Sequence, residues 1–189
     1  MDIKEFVEQS AGKWFSQRSN HYLSTQPTES GQSNLVMELL LTNDPEVIQI
    51  CQGYNIEPAT ALYGVKVTWE GTIKGKTQKQ TGSNVIVLVP DVDRPKEGKI
   101  LQSIANSEKT PHPGRYIMAE DDSLTMITEN EKIYSEERFW FASPNLRLRT
   151  SLVKLFGGFT QASMSSEIRM GITKSVDKAE DSAAKVPTK

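Results

Sequence analysis

Hydrophobic positions along this chain alternate far more often than they recur at helical spacing, and only two stretches break that rule. Near the start, Ile3, Phe6 and Val7 follow Asp2, a capping residue, so residues 2–10 are predicted to form a short amphipathic helix. The second exception is "NDPEVIQICQGY", with Asn43 or Asp44 as cap, Pro45 in the first turn and Gly53 at the end. It is predicted as one helix over 44–53, with Cys51 beside Val47 and Ile48 as a small buried hydrophobe. Everything else reads as strand: "KWFSQRSNHYL", "SNLVMELLLT", "ALYGVKVTWEG", "SNVIVLVPD", "KILQSIAN", "GRYIMAED", "SLTMITEN", "KIYSEERFWFA", "LRLRTSLVK" and "ASMSSEIRM". Turn residues in "DRPKEG", "TPHPG", "EDDS" and "SPN" separate them. About ten short strands with hairpin-length links predict an all-β antiparallel meander, and closure into a barrel would remove its edges. One domain over residues 1–171 is expected. The remainder, 172–189, is polar and small, and is predicted to be a disordered tail.

One strand resists the ordinary pattern. In "EERFWFASPNLRLRTS", Arg147 and Arg149 share one face and Leu146 and Leu148 the other. Two arrangements are open. Either the leucines form core and the arginines are solvated, as in most strands, or the arginines face inward toward an anion while the leucines pack under an exterior helix. On the preceding strand, Ile133, Ser135, Glu137, Phe139 and Phe141 form the more apolar face, opposite Tyr134, Glu136, Arg138 and Trp140. If that face lines a lumen, Glu137 is buried and needs a cation, which Arg147 and Arg149 would supply with charge to spare. Register leaves Glu136 as the alternative carboxylate. Arg18 shares a face with Trp14 on the first strand, and His21 falls on the opposite one. Trp14 itself is expected in the barrel floor.

Composition narrows the function classes. Of 189 residues, 24% are charged and 37% apolar, with a net charge of −2 and both signs mixed along the chain, which gives no case for nucleic acid or an anionic membrane. The longest apolar run, "NVIVLVP", is too short to span a bilayer, and the acidic start "MDIKEFVEQSAG" lacks a signal-peptide pattern, so a cytoplasmic protein is expected. A single cysteine and two distant histidines argue against a disulfide and against any metal site.

Three segments together have a wider resemblance: "GKWFSQRSNH", the tryptophan of "VKVTWEG" and above all "EERFWFASPNLRLRTS". Over roughly residues 2–171 the chain resembles the S/U-type phycobiliprotein lyases (the CpcS/CpeS family), which serve the phycobilisomes of cyanobacterial photosynthesis. The resemblance implies a lipocalin-like ten-stranded antiparallel β-barrel with an N-terminal helix and one inserted helix. It also implies a bilin lyase, which joins an open-chain tetrapyrrole to a phycobiliprotein cysteine by a thioether bond. The bilin, phycocyanobilin or phycoerythrobilin, would be a substrate, with no permanently bound cofactor. Acceptors would be phycocyanin beta, allophycocyanin or phycoerythrin beta subunits, and the lyase would act alone, as a homodimer or as a heterodimer with a related subunit. Matching positions implicate Arg18, Trp69, Arg147 and Arg149 in holding the chromophore. Bilin propionates suit arginine, its N–H groups suit Glu137 or Glu136, and its rings suit Trp69, Phe139, Phe141 and Met126. The competing expectation is a non-catalytic carrier of fatty acid or another acidic apolar ligand, which the same arginines would serve.

Overall fold

A computed structural model describes residues 1–23, 28–103 and 112–171. The predicted tail at 172–189 and part of the "TPHPG" turn lie outside these residues. Ten antiparallel strands form one closed barrel in which every strand pairs with its sequence neighbours and the last pairs with the first. They are β1 (Gly12–Tyr22), β2 (Glu29–Leu40), β3 (Tyr63–Ile73), β4 (Gln80–Pro90) and β5 (Glu97–Gln102). Next come β6 (Gly114–Met118), β7 (Leu124–Glu129), β8 (Ile133–Ser143), β9 (Leu146–Leu155) and β10 (Thr160–Arg169). Two helices accompany them, α1 (Ile3–Ser10) and α2 (Pro45–Gly53), with a 3₁₀ turn at Pro58–Thr60 that the sequence pattern did not announce. No helix among the described residues is long and apolar enough to cross a membrane.

α1 closes one end of the barrel. Asp2 accepts from the Glu5 amide at 2.8 Å while Glu5 accepts from the Asp2 amide at 2.9 Å, which satisfies the first-turn donors. The buried side is Ile3, Phe6, Val7 and Ser10, a single stripe. It packs on the inward side chains Val65, Leu88, Ile100, Tyr116, Met118, Leu124 and Phe139 to make a floor. The exposed carbonyls at the helix end find donors: Trp14 Nε1 bonds Ser10 O at 2.9 Å, and the Arg169 guanidinium bonds Ala11 O at 2.7 Å and Gln9 O. Trp14, fully buried, is thus a floor residue.

α2 lies outside the barrel. Asp44 caps it, accepting from the Glu46 amide at 2.9 Å, and Val47, Ile50 and Cys51 bury against Val85, Val87, Val89, Leu101 and Ala61. This explains the unbroken apolar run of β4: Ile86 and Leu88 face inward, Val85, Val87 and Val89 face α2, and both sides are covered. β9 is the converse. Arg147 is buried inside, whereas Leu146, Leu148 and Leu152 lie half-buried on the outer face. The expectation of an exterior helix over these leucines is overturned, because α1 sits at the floor and α2 sits on β3, β4 and β5.

Stability should follow this division. Phe6→Ala should destabilise the fold by about 3–5 kcal/mol, since it opens a cavity between plug and floor. Leu148→Gln should change stability by only about 0.5 kcal/mol, as for an ordinary surface position. Chemical denaturation of both variants checks this, and a large loss for Leu148→Gln would mean that something covers the outer face.

Candidate functional site

The arginines point inward because their neighbours make room. Cross-strand register sets Arg18, Ser165, Arg149 and Phe139 in one inward row, and Ser16, Glu167, Arg147 and Phe141 in the row nearer the floor. Serines between the long side chains leave lateral space into which guanidinium groups can extend. β10 is inverted like β9: Ser165 and Glu167 are buried inside, and Met164 and Ile168 are about half exposed outside. Two adjacent strands with charge in and hydrophobes out is the signal that could have revealed Glu167, which the sequence reading did not single out.

Glu167 and Arg147 form a buried ion pair. Arg147 Nε donates to Glu167 Oε2 at 2.7 Å, and Nη2 lies 2.5 Å from the same oxygen. The remaining guanidinium surface is also taken: Nη1 faces Met37 Sδ at 3.2 Å, and the group lies 5.0 Å from the Trp14 ring and 5.6 Å from the Phe139 ring. Its side chain is 2% exposed and that of Glu167 0%. Burial pulls the Arg147 guanidinium down from its ordinary value, and the Glu167 carboxylate beside it pushes the other way. Glu167 Oε1 accepts no hydrogen bond; Arg149 Nε stands 3.7 Å away.

Arg149 is freer. Its side chain is 22% exposed, Nη1 is 3.5 Å from Glu137 Oε1, and the guanidinium lies 5.7 Å from the centre of the Phe139 ring. Arg18, half-buried, lines the same space; burial lowers its ordinary value first, and the nearby charge of Arg149 lowers it further. Two guanidinium groups share this space, with Glu137 beside both, Glu167 near Arg149 and Glu29 acting on Arg18, and they form an anion-seeking pair. Trp69, 37% exposed, lines the cavity toward its open side, and its indole lies over Gly82, where any Cβ would run into the ring.

Together these residues surround a cavity of about 350 Å³, within the ordinary range for small-molecule sites. Met126, Ile86 and Val67 add apolar wall, and Asn84, Gln102 and Gln32 add polar groups. α1 blocks the floor, so access is from the end where Gly31, Thr72, Ile73 and Gln80 line the rim. Arg18, Trp69, Glu137, Phe139, Arg147 and Arg149 are thus brought together. Glu136 is not: it faces outward and accepts a hydrogen bond from the Tyr134 hydroxyl. Phe141 packs below the cavity, 5.1 Å from Phe6 and 6.1 Å from Trp14 between ring centres. His21 is exposed outside, where its Nδ1 is 3.3 Å from the Thr28 hydroxyl. Cys51, on α2, is buried against the outer wall of the barrel with its thiol pushed up by burial, and does not reach the lumen. Among the described residues no group of three His, Cys, Asp or Glu side chains could hold a metal.

Comparison with known proteins gives the family and the fold. The family described as CpeS-like protein matches residues 2–170. A chromophore lyase CpcS/CpeS of Thermosynechococcus vestitus is 53% identical over 174 residues, covering 92% of this chain and 96% of the relative. The phycocyanobilin lyase subunit CpcS of a Picosynechococcus species is 42% identical over 171 residues, covering 89% of this chain and 86% of that one. Among solved structures, the S-type phycobiliprotein lyase CPES from Guillardia theta superposes with a TM-score of 0.83 at 34% identity, over 92% of this chain and 95% of that chain. By its match over residues 2–170 and its fold, this chain belongs to the CpeS-like protein family.

Proposed function

We propose that this chain is a bilin lyase. It binds an open-chain tetrapyrrole such as phycocyanobilin in its barrel and attaches it to a cysteine of a phycobiliprotein subunit of the phycocyanin beta, allophycocyanin or phycoerythrin beta kind. The observation that carries the reading is the inward trio of Arg18, Arg149 and Glu137 above an apolar floor, in a chain of this family. A fatty acid would use the cations and the walls, but it offers nothing to a carboxylate inside the lumen. A bilin offers propionates to the arginines and pyrrole N–H groups to Glu137.

The reaction joins the two molecules by one carbon–sulfur bond. The partner's thiolate sulfur adds to the exocyclic ethylidene carbon of the terminal A ring, the carbon–carbon double bond becomes single, and the tetrapyrrole takes up one proton; nothing leaves. This chain's residues hold and orient the substrate. Arg149 and Arg18 grip a propionate, Trp69 and Phe139 fix the ring planes, and Glu137 accepts from pyrrole N–H groups and favours the protonated, more electrophilic form. With Cys51 away from the lumen, no covalent carrier on the enzyme is required.

Transfer, binding and stability measurements test this. Co-produced with phycocyanobilin and separate phycobiliprotein subunits, this chain alone should leave covalent colour on an acceptor in a denaturing gel, and Cys51→Ser should do so equally well. Absence of covalent colour with every acceptor, alongside tight binding of long-chain fatty acids, would establish the carrier instead. Purified protein should bind phycocyanobilin at about micromolar strength with an absorbance shift. Arg149→Gln should weaken that affinity by about one to two decades, the equivalent of about 1.5–3 kcal/mol, at nearly unchanged melting temperature. Arg147→Gln should instead destabilise the fold by about 3–5 kcal/mol, because it strands Glu167 in the interior. Equal melting temperatures for the two arginine variants would contradict this division.

A further inference from the structure

The lumen carries a definite charge. Arg18 on β1 and Arg147 and Arg149 on β9 are cationic; Glu137 on β8 and Glu167 on β10 are anionic. β2, β3, β4, β5 and β7 contribute no charged residue to the lining. Arg169 reaches past Trp14 to the carbonyls ending α1 and does not line the cavity, while at the rim Glu29 is paired with Lys76 at 2.9 Å. Tyr116, fully buried in the floor, has its phenol pushed up to about 12 by burial and stays neutral. Three guanidinium groups against two carboxylates leave a single positive charge inside the barrel, partly shielded from salt by its walls.

A tetrapyrrole with two propionates brings two negative charges. One is balanced by the lumen's surplus, and the other is balanced if the conjugated nitrogen system takes a proton and becomes cationic. Glu167, buried behind the lining on Arg147, is the carboxylate of the two that does not itself reach the ligand, and without it the surplus would be two and the dicarboxylate would be neutralised with its ring system unprotonated. We infer that Glu167 is a positioning residue that, besides holding Arg147, keeps the lumen at one positive charge so that a bound dicarboxylic tetrapyrrole is held protonated. This rests on the proposed bilin-binding function. A merely structural ion pair would set the melting temperature and leave the titration of the bound chromophore untouched.

The test compares Glu167→Gln, Arg147→Met and the double variant, each loaded with phycocyanobilin and titrated while the absorbance band of the protonated chromophore is followed. Glu167→Gln adds a positive charge and should lower the midpoint by about one pH unit or more; Arg147→Met removes one and should raise it by a similar amount. The double variant restores the count and should return to the wild-type midpoint. It should also fold, because a buried pair replaced as a unit is tolerated far better than a broken one. Arg147→Met leaves Glu167 with only Arg149 Nε, 3.7 Å away and not hydrogen-bonded, so this variant should also melt lower than wild type and is titrated below its melting temperature. Either single variant, set against the double, gives the sign. Single variants that bind phycocyanobilin and titrate at the wild-type midpoint overturn the inference alone. Wild-type protein that gives no absorbance change with phycocyanobilin overturns the bilin reading and the inference with it.

Discussion

The buried contact between Arg147 and Glu167 is the interaction on which the interior depends. Each charge alone is costly in a lumen floored by Phe6, Trp14 and Leu35, and the contact between them offsets part of that desolvation. Register provides the contact, in which Nε and Nη2 both meet Oε2 and Oε1 is left without a hydrogen bond. Arg147 and Glu167 are direct cross-strand partners on β9 and β10, with Met37 Sδ and two aromatic faces occupying the rest of the guanidinium. Because side chains alternate strictly along a strand, placing this pair inside commits every second residue of both strands. The leucines, Met164 and Ile168 are outside as a consequence, not by a preference of their own.

Stability and cavity are therefore assigned to different parts of the barrel. One core forms where α1 seals the floor and another where α2 covers β4 and β5 from outside. Neither demands that the upper lumen be filled. β8, β9 and β10 line that region with serines and with charges held by one another, which keeps long side chains from collapsing into the space. An empty cavity bounded by Arg18, Arg149 and Glu137 is affordable because the packing that holds the fold lies elsewhere.

Local rules made much of this legible. Asp2 and Asp44 cap their helices, Pro45 opens α2, and strand rhythm located all ten strands to within a few residues. Glu137 was separable from Glu136 because the alternation Phe139, Phe141 set its face. The direction of β9 was not legible locally: "LRLR" satisfies either arrangement, and the resemblance to a family, rather than the pattern, turned the arginines inward. Glu167 escaped for the same reason, as "MSSEIR" reads most simply with Met164 and Ile168 in the core. The partner that reverses it stands twenty residues earlier, and only cross-strand register joins the two. The exterior helix expected over Leu148 failed because α2's apolar side matches the valines of β4, a surface with more to bury.

A barrel with one sealed end also constrains what a linear ligand can present. In the proposed function, the propionates sit on the two central rings of the tetrapyrrole, and the cations able to grip them, Arg18 and Arg149, sit in one row partway down the lumen. Holding the middle of the molecule there directs one terminal ring toward the apolar floor and leaves the other at the rim. A docked protein's cysteine can approach only the ring at the rim, since α1 and its bonds to Trp14 and Arg169 close the opposite route. Selection between two chemically similar ends would then need no group that distinguishes them. It would follow from the depth of the arginine row relative to the floor, a distance fixed by register.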